Sequence, residues 1–130
     1  MKHNQIVTIL VTLISICLLE SCNEYETQFS SSLMIGKWRR PVTAQNGSNG
    51  YDCYRYDTGG KGVTWDTSDD VTEKEAQAFD WSLEGANLKI IHKGEMGQVI
   101  PKSYTVITLS STTLSYKNEY GERFTFSKFQ

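Results

Sequence analysis

From residue 33 to residue 130, apolar and polar residues alternate with a period of two, and turn-forming residues interrupt the alternation at regular intervals. Between residues 77 and 83, for example, Phe79, Trp81 and Leu83 share one face. No run of ten or more residues in this region has a convincing 3.6-residue period. The pattern predicts strands over residues 34–40, 51–57, 62–66, 77–83, 88–92, 98–109, 114–117 and 122–129.

The connections between these strands indicate how they are arranged. Most of these connections have hairpin length. The two longer loops cover residues 41–50 and 68–75, and Pro41 at the start of the first loop is predicted to end the first strand. Thr72 and Glu75 have the spacing of a capping box, which predicts one helical turn in the second loop. Closure of a sheet removes its exposed edges. We therefore predict an all-β fold, an eight-stranded up-and-down antiparallel barrel with little helix; a β-sandwich, which needs longer crossovers, is the alternative.

The first 22 residues have the pattern of an export signal. A short basic start precedes a continuous apolar run of 14 residues, 6–19, which is too short to span a bilayer comfortably but suits a secretory signal. The run ends at Leu19-Glu20-Ser21-Cys22, which resembles the lipobox of bacterial lipoproteins. The resemblance implies a signal peptide over residues 1–21 and lipidation of Cys22. An ordinary secretory signal is the alternative.

The residues after Cys22 predict a tethered domain at the cell envelope. Residues 22–32 are polar and rich in serine, so we interpret them as a tether to a barrel domain over residues 33–130. A lipid on Cys22 would attach the protein to a membrane, which predicts an outer-membrane lipoprotein on the periplasmic face or the cell surface. Cys53 then has no partner and is expected to be a small buried hydrophobe; a bridge between Cys22 and Cys53 is the alternative.

Composition and motifs exclude several functions. The chain has 13 basic and 15 acidic side chains, a formal net charge of −2, which argues against nucleic-acid binding. Two histidines and three cysteines make a zinc cluster hard to build, so neither a metal nor a cofactor is predicted. His92 is the only histidine after Cys22, and the motifs G-x-S-x-G, H-E-x-x-H and C-x-x-C do not occur. We predict that the protein is not an enzyme and has no catalytic residues.

The first predicted strand carries a family resemblance. Gly36-Lys37-Trp38, followed by a long loop and seven hairpin-linked strands, resembles the lipocalin and calycin group. Residues 33–130 are similar to small lipocalin-like lipoproteins of Bacteroides-type bacteria, although the domain is shorter than a typical lipocalin and lacks its C-terminal helix. The resemblance implies that Trp38 plugs the closed end of the barrel and that a late-strand arginine, for which Arg123 is the candidate, packs over it.

An eight-stranded barrel is either filled by its own side chains or holds one small ligand. The predicted strands are short, so the cup should be shallow. The large aromatic residues are candidates for its wall, because their rings and phenols can bury and orient a ligand. These candidates are Trp65, Tyr54, Tyr56, Phe79, Trp81, Tyr104 and Tyr116. We predict a small hydrophobic or amphipathic ligand; the alternative is a filled barrel that binds a protein or glycan through loops 41–50 and 68–75.

Overall fold

The computed structural model describes residues 27–130, so the predicted signal peptide and the lipidation site Cys22 lie outside the described residues. The strands are β1 (Gly36–Thr43), β2 (Asn49–Asp57), β3 (Lys61–Asp66), β4 (Gln77–Glu84), β5 (Asn87–Lys93), β6 (Val99–Leu109), β7 (Thr113–Lys117) and β8 (Arg123–Phe129). Each strand pairs antiparallel with the next, and β8 pairs with β1, so the sheet is a closed barrel. The predicted eight-stranded up-and-down barrel is confirmed.

Three short 3₁₀ helices accompany the strands, at Ser31–Met34, Thr67–Asp69 and Glu73–Glu75. The last of these has the predicted capping box between Thr72 and Glu75. Within residues 27–130, no helix has the length and apolar character needed to cross a membrane.

The first strand runs through Pro41, where the sequence predicted its end. Pro41 lies opposite Tyr51 of β2, and β1 continues to Thr43. Proline is tolerated there because β8 pairs with β1 only over Lys37–Arg39, which leaves Pro41 with a partner strand on one side. The loop predicted over residues 41–50 is therefore only the turn at residues 44–48.

The two ends of the barrel differ. At the closed end are the turns at residues 58–60, 85–86 and 110–112, and the N-terminal segment lies beside the first two of them. Phe29 packs against the core, and its N–H donates to the Gly85 carbonyl. This packing begins within the residues interpreted as a tether. At the other end, which we call the mouth, are the loops at residues 44–48, 67–76, 94–98 and 118–122.

The core fills the barrel from the closed end. Met34 and Trp38 are fully buried there, and the Trp38 Nε1–H donates to the Met34 carbonyl at 2.8 Å. Gly62 leaves room for the Phe79 ring, because a Cβ at this position would collide with it. The position of these large side chains determines which part of the interior is available to a ligand.

Candidate functional site

Strand register identifies the inward face of each strand at the mouth. Cross-strand partners lie on the same face of a sheet, so the buried Trp38 places its partner Tyr54 inside the barrel. Arg40, its partner Asp52 and the Asp52 partner Asp66 lie two positions further along these strands and also face inward. By the same argument, the partners of buried residues on the other strands face inward; these are His92, Lys102, Tyr104 and Phe124.

Below the mouth, five aromatic side chains form what we call the aromatic floor: Tyr54, Tyr56, Phe79, Tyr116 and Phe126. The Tyr54 ring lies 5.6 Å from both Phe79 on β4 and Phe126 on β8, measured between ring centroids, so it connects distant walls of the barrel. Such edge-to-face contacts favour a tightly packed interior. The floor therefore places packed aromatic rings in the lower barrel, and the mouth above it is the candidate site for a ligand.

Burial controls the ionisation of the floor phenols. It raises the pKa of Tyr54 above its ordinary value, and the pKa of Tyr56 and Tyr116 well above it. The three phenols are consequently neutral at physiological pH.

Arg40 and Asp52, which we call the mouth pair, lie directly above the floor. The Arg40 Nε–H donates to Asp52 Oδ2 at 3.2 Å, and both side chains are mostly buried. The guanidinium carbon lies 4.9 Å from the Phe124 ring centroid and 5.8 Å from that of Phe126, so cation–π contacts hold it over the aromatic rings. Burial raises the pKa of Asp52, and the attraction of Arg40 only partly opposes this effect.

Two further groups at the mouth lack partners among the described residues. Lys102 forms no ion pair within residues 27–130. His92 Nε2 is buried and has no hydrogen-bond partner in the same range. Burial lowers the pKa of His92, and the Lys102 charge lowers it further. Asp66, in contrast, has a partner, because its carboxylate accepts a hydrogen bond from the Ser68 N–H at 2.8 Å.

Most of the predicted wall residues face inward, but they divide between different depths. Tyr54, Tyr56, Phe79 and Tyr116 belong to the aromatic floor. Tyr104 lies at the mouth, with its ring centroid 4.4 Å from that of Tyr116. Trp81 lies toward the closed end, where its Nε1–H donates to the Lys61 carbonyl at 2.9 Å. Of these residues, Tyr104 is the one best placed to touch a ligand at the mouth.

Trp65 does not line the interior. It is the cross-strand partner of Cys53, one position from the inward-facing Thr64, so it lies on the outer face. Its ring packs 6.4 Å from that of Phe129, and it is not part of the core cluster. Cys53 is buried beside it in β2, and burial raises the pKa of its thiol to about 11. The prediction that Trp65 belongs to the wall is corrected because the alternation places Thr64 inside.

Arg123 does not cover Trp38. It lies opposite Lys117 at the mouth end of β8 and is exposed. Lys128, at the closed end of the same strand, is the cross-strand partner of Trp38, and its Nζ lies 5.2 Å from the Trp38 ring centroid. A late-strand cation does pack against the tryptophan, but it is this lysine.

The sequence analysis missed the mouth pair and Lys102. A signal was present, because Arg40 follows Trp38 at a spacing of two and therefore shares its face. Asp52 precedes Tyr54 at the same spacing. The candidates for the wall were restricted to aromatic residues, so these charged side chains were not considered.

The outer face carries a separate ionic network. Glu73, in the loop between β3 and β4, accepts hydrogen bonds from Lys37 Nζ at 2.9 Å and from Arg55 Nη1 at 2.8 Å. These bonds hold part of the predicted loop 68–75 against the barrel wall. Another surface feature, a groove of about 850 Å³, is lined by the N-terminal segment and the turn at residues 84–87. Within residues 27–130, no three His, Cys, Asp or Glu side chains are grouped to hold a metal ion.

Comparison with known proteins supports the fold. No model of a known protein family matches the chain, and no curated protein is significantly similar to it in sequence. A crystal structure of a lipocalin-like protein from Bacteroides uniformis is similar, with a TM-score of 0.54 and 20% identity, covering 75% of this chain and 99% of that protein. An NMR structure of a Bacteroides uniformis protein has a TM-score of 0.56 and 12% identity, covering 81% of this chain and 96% of that protein. At these identities, the similarity establishes a lipocalin-like barrel fold.

Proposed function

We propose that this protein binds one small amphipathic molecule in the mouth of its lipocalin-like barrel while a lipid on Cys22 anchors it to the cell envelope. The observation that carries the proposal is the mouth pair, because a charged group held over aromatic rings gives one site both polar and apolar surfaces. Barrels of this size commonly admit a single small ligand at one end. The proposal involves binding without covalent chemistry.

The ligand lies above the aromatic floor. Its apolar part contacts Tyr104 and Phe124, which are only partly buried, and its polar part meets the charged side chains of the mouth. The filled lower barrel favours a ligand that inserts only a short way, since a long chain would have to displace Tyr54 from its contacts with Phe79 and Phe126.

Calorimetry with residues 23–130 tests ligand binding. The probes are fatty acids, bile acids and haem. We expect at least one to bind, and we expect Phe124→Ala or Tyr104→Ala to weaken its binding by about tenfold, the effect of losing part of an aromatic contact. Tyr120→Ala is the matched control, because Tyr120 is an aromatic residue that is 86% exposed in a mouth loop. Equal losses in all three variants would place the ligand elsewhere.

Calorimetry is preferred to tryptophan fluorescence because the three tryptophans lie away from the mouth. Trp38 and Trp81 are toward the closed end, and Trp65 is on the outer face. A ligand at the mouth need not alter the emission of any of them.

The anchor requires a separate test. The lipobox resemblance of residues 19–22 supports lipidation at Cys22 and an outer-membrane location, on the periplasmic face or the cell surface. Expression of the full chain in a Gram-negative host with radiolabelled palmitate should label the protein and recover it with outer membranes. Cys22→Ser should abolish the label, whereas Cys53→Ser should retain it. Labelling of both variants would contradict the proposed anchor.

The second candidate function is an interaction module with a filled barrel. The observation that favours it is the packing of the aromatic floor, where the ring centroids of Tyr54 and Phe79 lie 5.6 Å apart and those of Tyr56 and Phe79 lie 5.3 Å apart. Such a module would bind a protein or a glycan through loops 44–48 and 67–76. Absence of binding to every small amphiphile, together with a glycan or protein partner whose binding is lost on substitution in these loops, would favour this candidate.

A further inference from the structure

The Arg40 side chain has unused hydrogen-bonding capacity. Its Nε–H donates to Asp52, while its two terminal nitrogens form no hydrogen bond within residues 27–130. A guanidinium presents a planar set of donors that fits two oxygens of a carboxylate, sulfate or phosphate. Because Phe124 and Phe126 already hold this guanidinium in place, little conformational entropy is lost when an anion binds to it.

A second cation faces the same space from another wall. Lys102 on β6 is the cross-strand partner of the buried Ile90 and therefore points toward the interior. It contributes to the electrostatic environment of both Asp52 and His92, which places its charge at the mouth. Arg40 and Lys102 thus approach the mouth from β1 and β6.

The other charged and titratable groups at the mouth decide what these cations attract. They are Asp52 on β2, Asp66 on β3, His92 on β5, Tyr104 on β6 and Glu122 in the loop before β8. The Asp66 carboxylate accepts a hydrogen bond from the Ser68 N–H, whereas the Asp52 carboxylate accepts one from Arg40. Asp52 is therefore the anion that a ligand must replace. A ligand that replaces Asp52 on Arg40 must carry negative charge itself.

Resting on the ligand-binding function above, we propose that the mouth selects amphiphiles with an anionic head group, which replaces Asp52 as the partner of Arg40 and therefore binds more tightly at acidic pH. The head group accepts hydrogen bonds from the Arg40 terminal nitrogens and is attracted by Lys102. The tail rests on Tyr104 and Phe124.

The direction of the pH effect follows from Asp52. Protonation removes its negative charge, which frees Arg40 and removes repulsion toward an incoming anion. Because burial raises the pKa of this carboxyl, protonation occurs at a higher pH than for an exposed aspartate. Protonation of His92 adds positive charge and acts in the same direction.

The test compares probes that share one tail and differ in the head: decyl sulfate, decyl maltoside and decyltrimethylammonium. The sulfate keeps its charge at acidic pH, so any change in its affinity reports on the protein. With residues 23–130, which contain the complete closed barrel and its core, we expect decyl sulfate to bind about tenfold more tightly than the neutral and cationic probes, as for a charge-assisted hydrogen bond.

Substitutions test whether Arg40 and Asp52 are responsible for the head-group selectivity. Arg40→Met should remove about tenfold of the affinity for decyl sulfate, a larger loss than it causes for decyl maltoside. Arg39→Met is the matched control, because Arg39 is the neighbouring arginine and lies on the outer face over Tyr51. Asp52→Asn should bind decyl sulfate more tightly than the unaltered chain does at pH 7. On acidification the variant should gain less affinity than the unaltered chain, because it lacks the Asp52 carboxylate and retains His92.

The outcomes separate this inference from the function on which it rests. Equal affinity for the three probes overturns head-group selection, and an affinity for decyl sulfate that does not rise on acidification overturns the replacement of Asp52. Either result leaves amphiphile binding in place. Failure of all three probes to bind overturns both. The comparison of head groups uses the unaltered chain, so it decides the question even where a variant fails to fold.

Discussion

The closed end and the mouth of this barrel are built from different chemistry. At the closed end, Trp38 and Met34 are fully buried, the indole N–H has a carbonyl partner, and Lys128 covers the ring. At the mouth, Arg40 has unused donors and Lys102 has no ion-pair partner within residues 27–130. The Trp38 indole N–H at the closed end has a partner within the protein, whereas the Arg40 terminal nitrogens at the mouth remain available. The proposed ligand site therefore lies at the end of the barrel opposite the fully buried Trp38 and Met34.

The largest expected effect comes from removing the packing of the closed end. Trp38→Ala should destabilise the protein by about 3–5 kcal/mol, because it deletes a fully buried ring and leaves a cavity. Phe124→Ala, its counterpart at the mouth, should cost about 1–2 kcal/mol, since this ring is only partly buried. Urea unfolding of both variants gives the difference. Similar losses would show that the two ends contribute equally to stability.

A smaller effect on stability is expected from Asp52, the carboxylate at the mouth. The folded-state pKa of Asp52 is raised above its ordinary value, so the folded protein binds a proton more tightly than the unfolded chain does. This carboxyl therefore increases stability as pH falls through its folded pKa toward its unfolded value, 3.8. Urea unfolding across this range should show that the unaltered chain gains stability relative to Asp52→Asn. A relative loss on acidification would contradict burial as the dominant influence.

The smallest effect should come from the outer network. Hydrogen bonds from Lys37 and Arg55 lower the pKa of Glu73, so its contribution to stability is present above its unfolded value of 4.5 and is lost as pH falls through the folded pKa. About a third of its side chain is exposed, so Glu73→Gln should cost only about 0.5 kcal/mol at pH 7. The cost should diminish in high salt. A salt-independent loss would indicate a packing role.

Asp52 and Glu73 both have cationic partners, but protonation of Asp52 increases stability whereas protonation of Glu73 decreases it. Asp52 lies within the barrel, where loss of hydration outweighs the attraction of Arg40. Glu73 remains close to solvent, where hydrogen bonds from two cations dominate. The location of an ion pair, inside or outside the sheet, decides which effect is larger.

The strands and their closure were predictable because they follow from local patterns. Two-residue alternation, hairpin-length turns and the capping box at Thr72 each involve neighbours in sequence, and the structure confirms them. The continuation of β1 through Pro41 was not predictable in this way, because it depends on where β8 stops pairing. That information is absent from the residues around the proline.

The site was harder to predict because it depends on register. A shift of one residue exchanges Trp65 for Thr64 on the inner face, and either choice preserves the alternation. A bulge between Val106 and Thr108 further changes the spacing along β6, so the inward residues Val106 and Leu109 are three positions apart. The mouth pair joins two strands whose relative register only the folded sheet establishes.

With the proposed lipid on Cys22, the attachment of Phe29 beside Gly85 would also set the direction in which the barrel faces. Four residues lie between Cys22 and Thr27, and the five Cα-to-Cα steps that join these two residues can span about 18 Å at most. A lipid on Cys22 would thus keep the base of the barrel near the bilayer surface and point its opening toward the aqueous compartment. Cargo would then arrive from that compartment or from a facing molecule, without first entering the leaflet that holds the anchor.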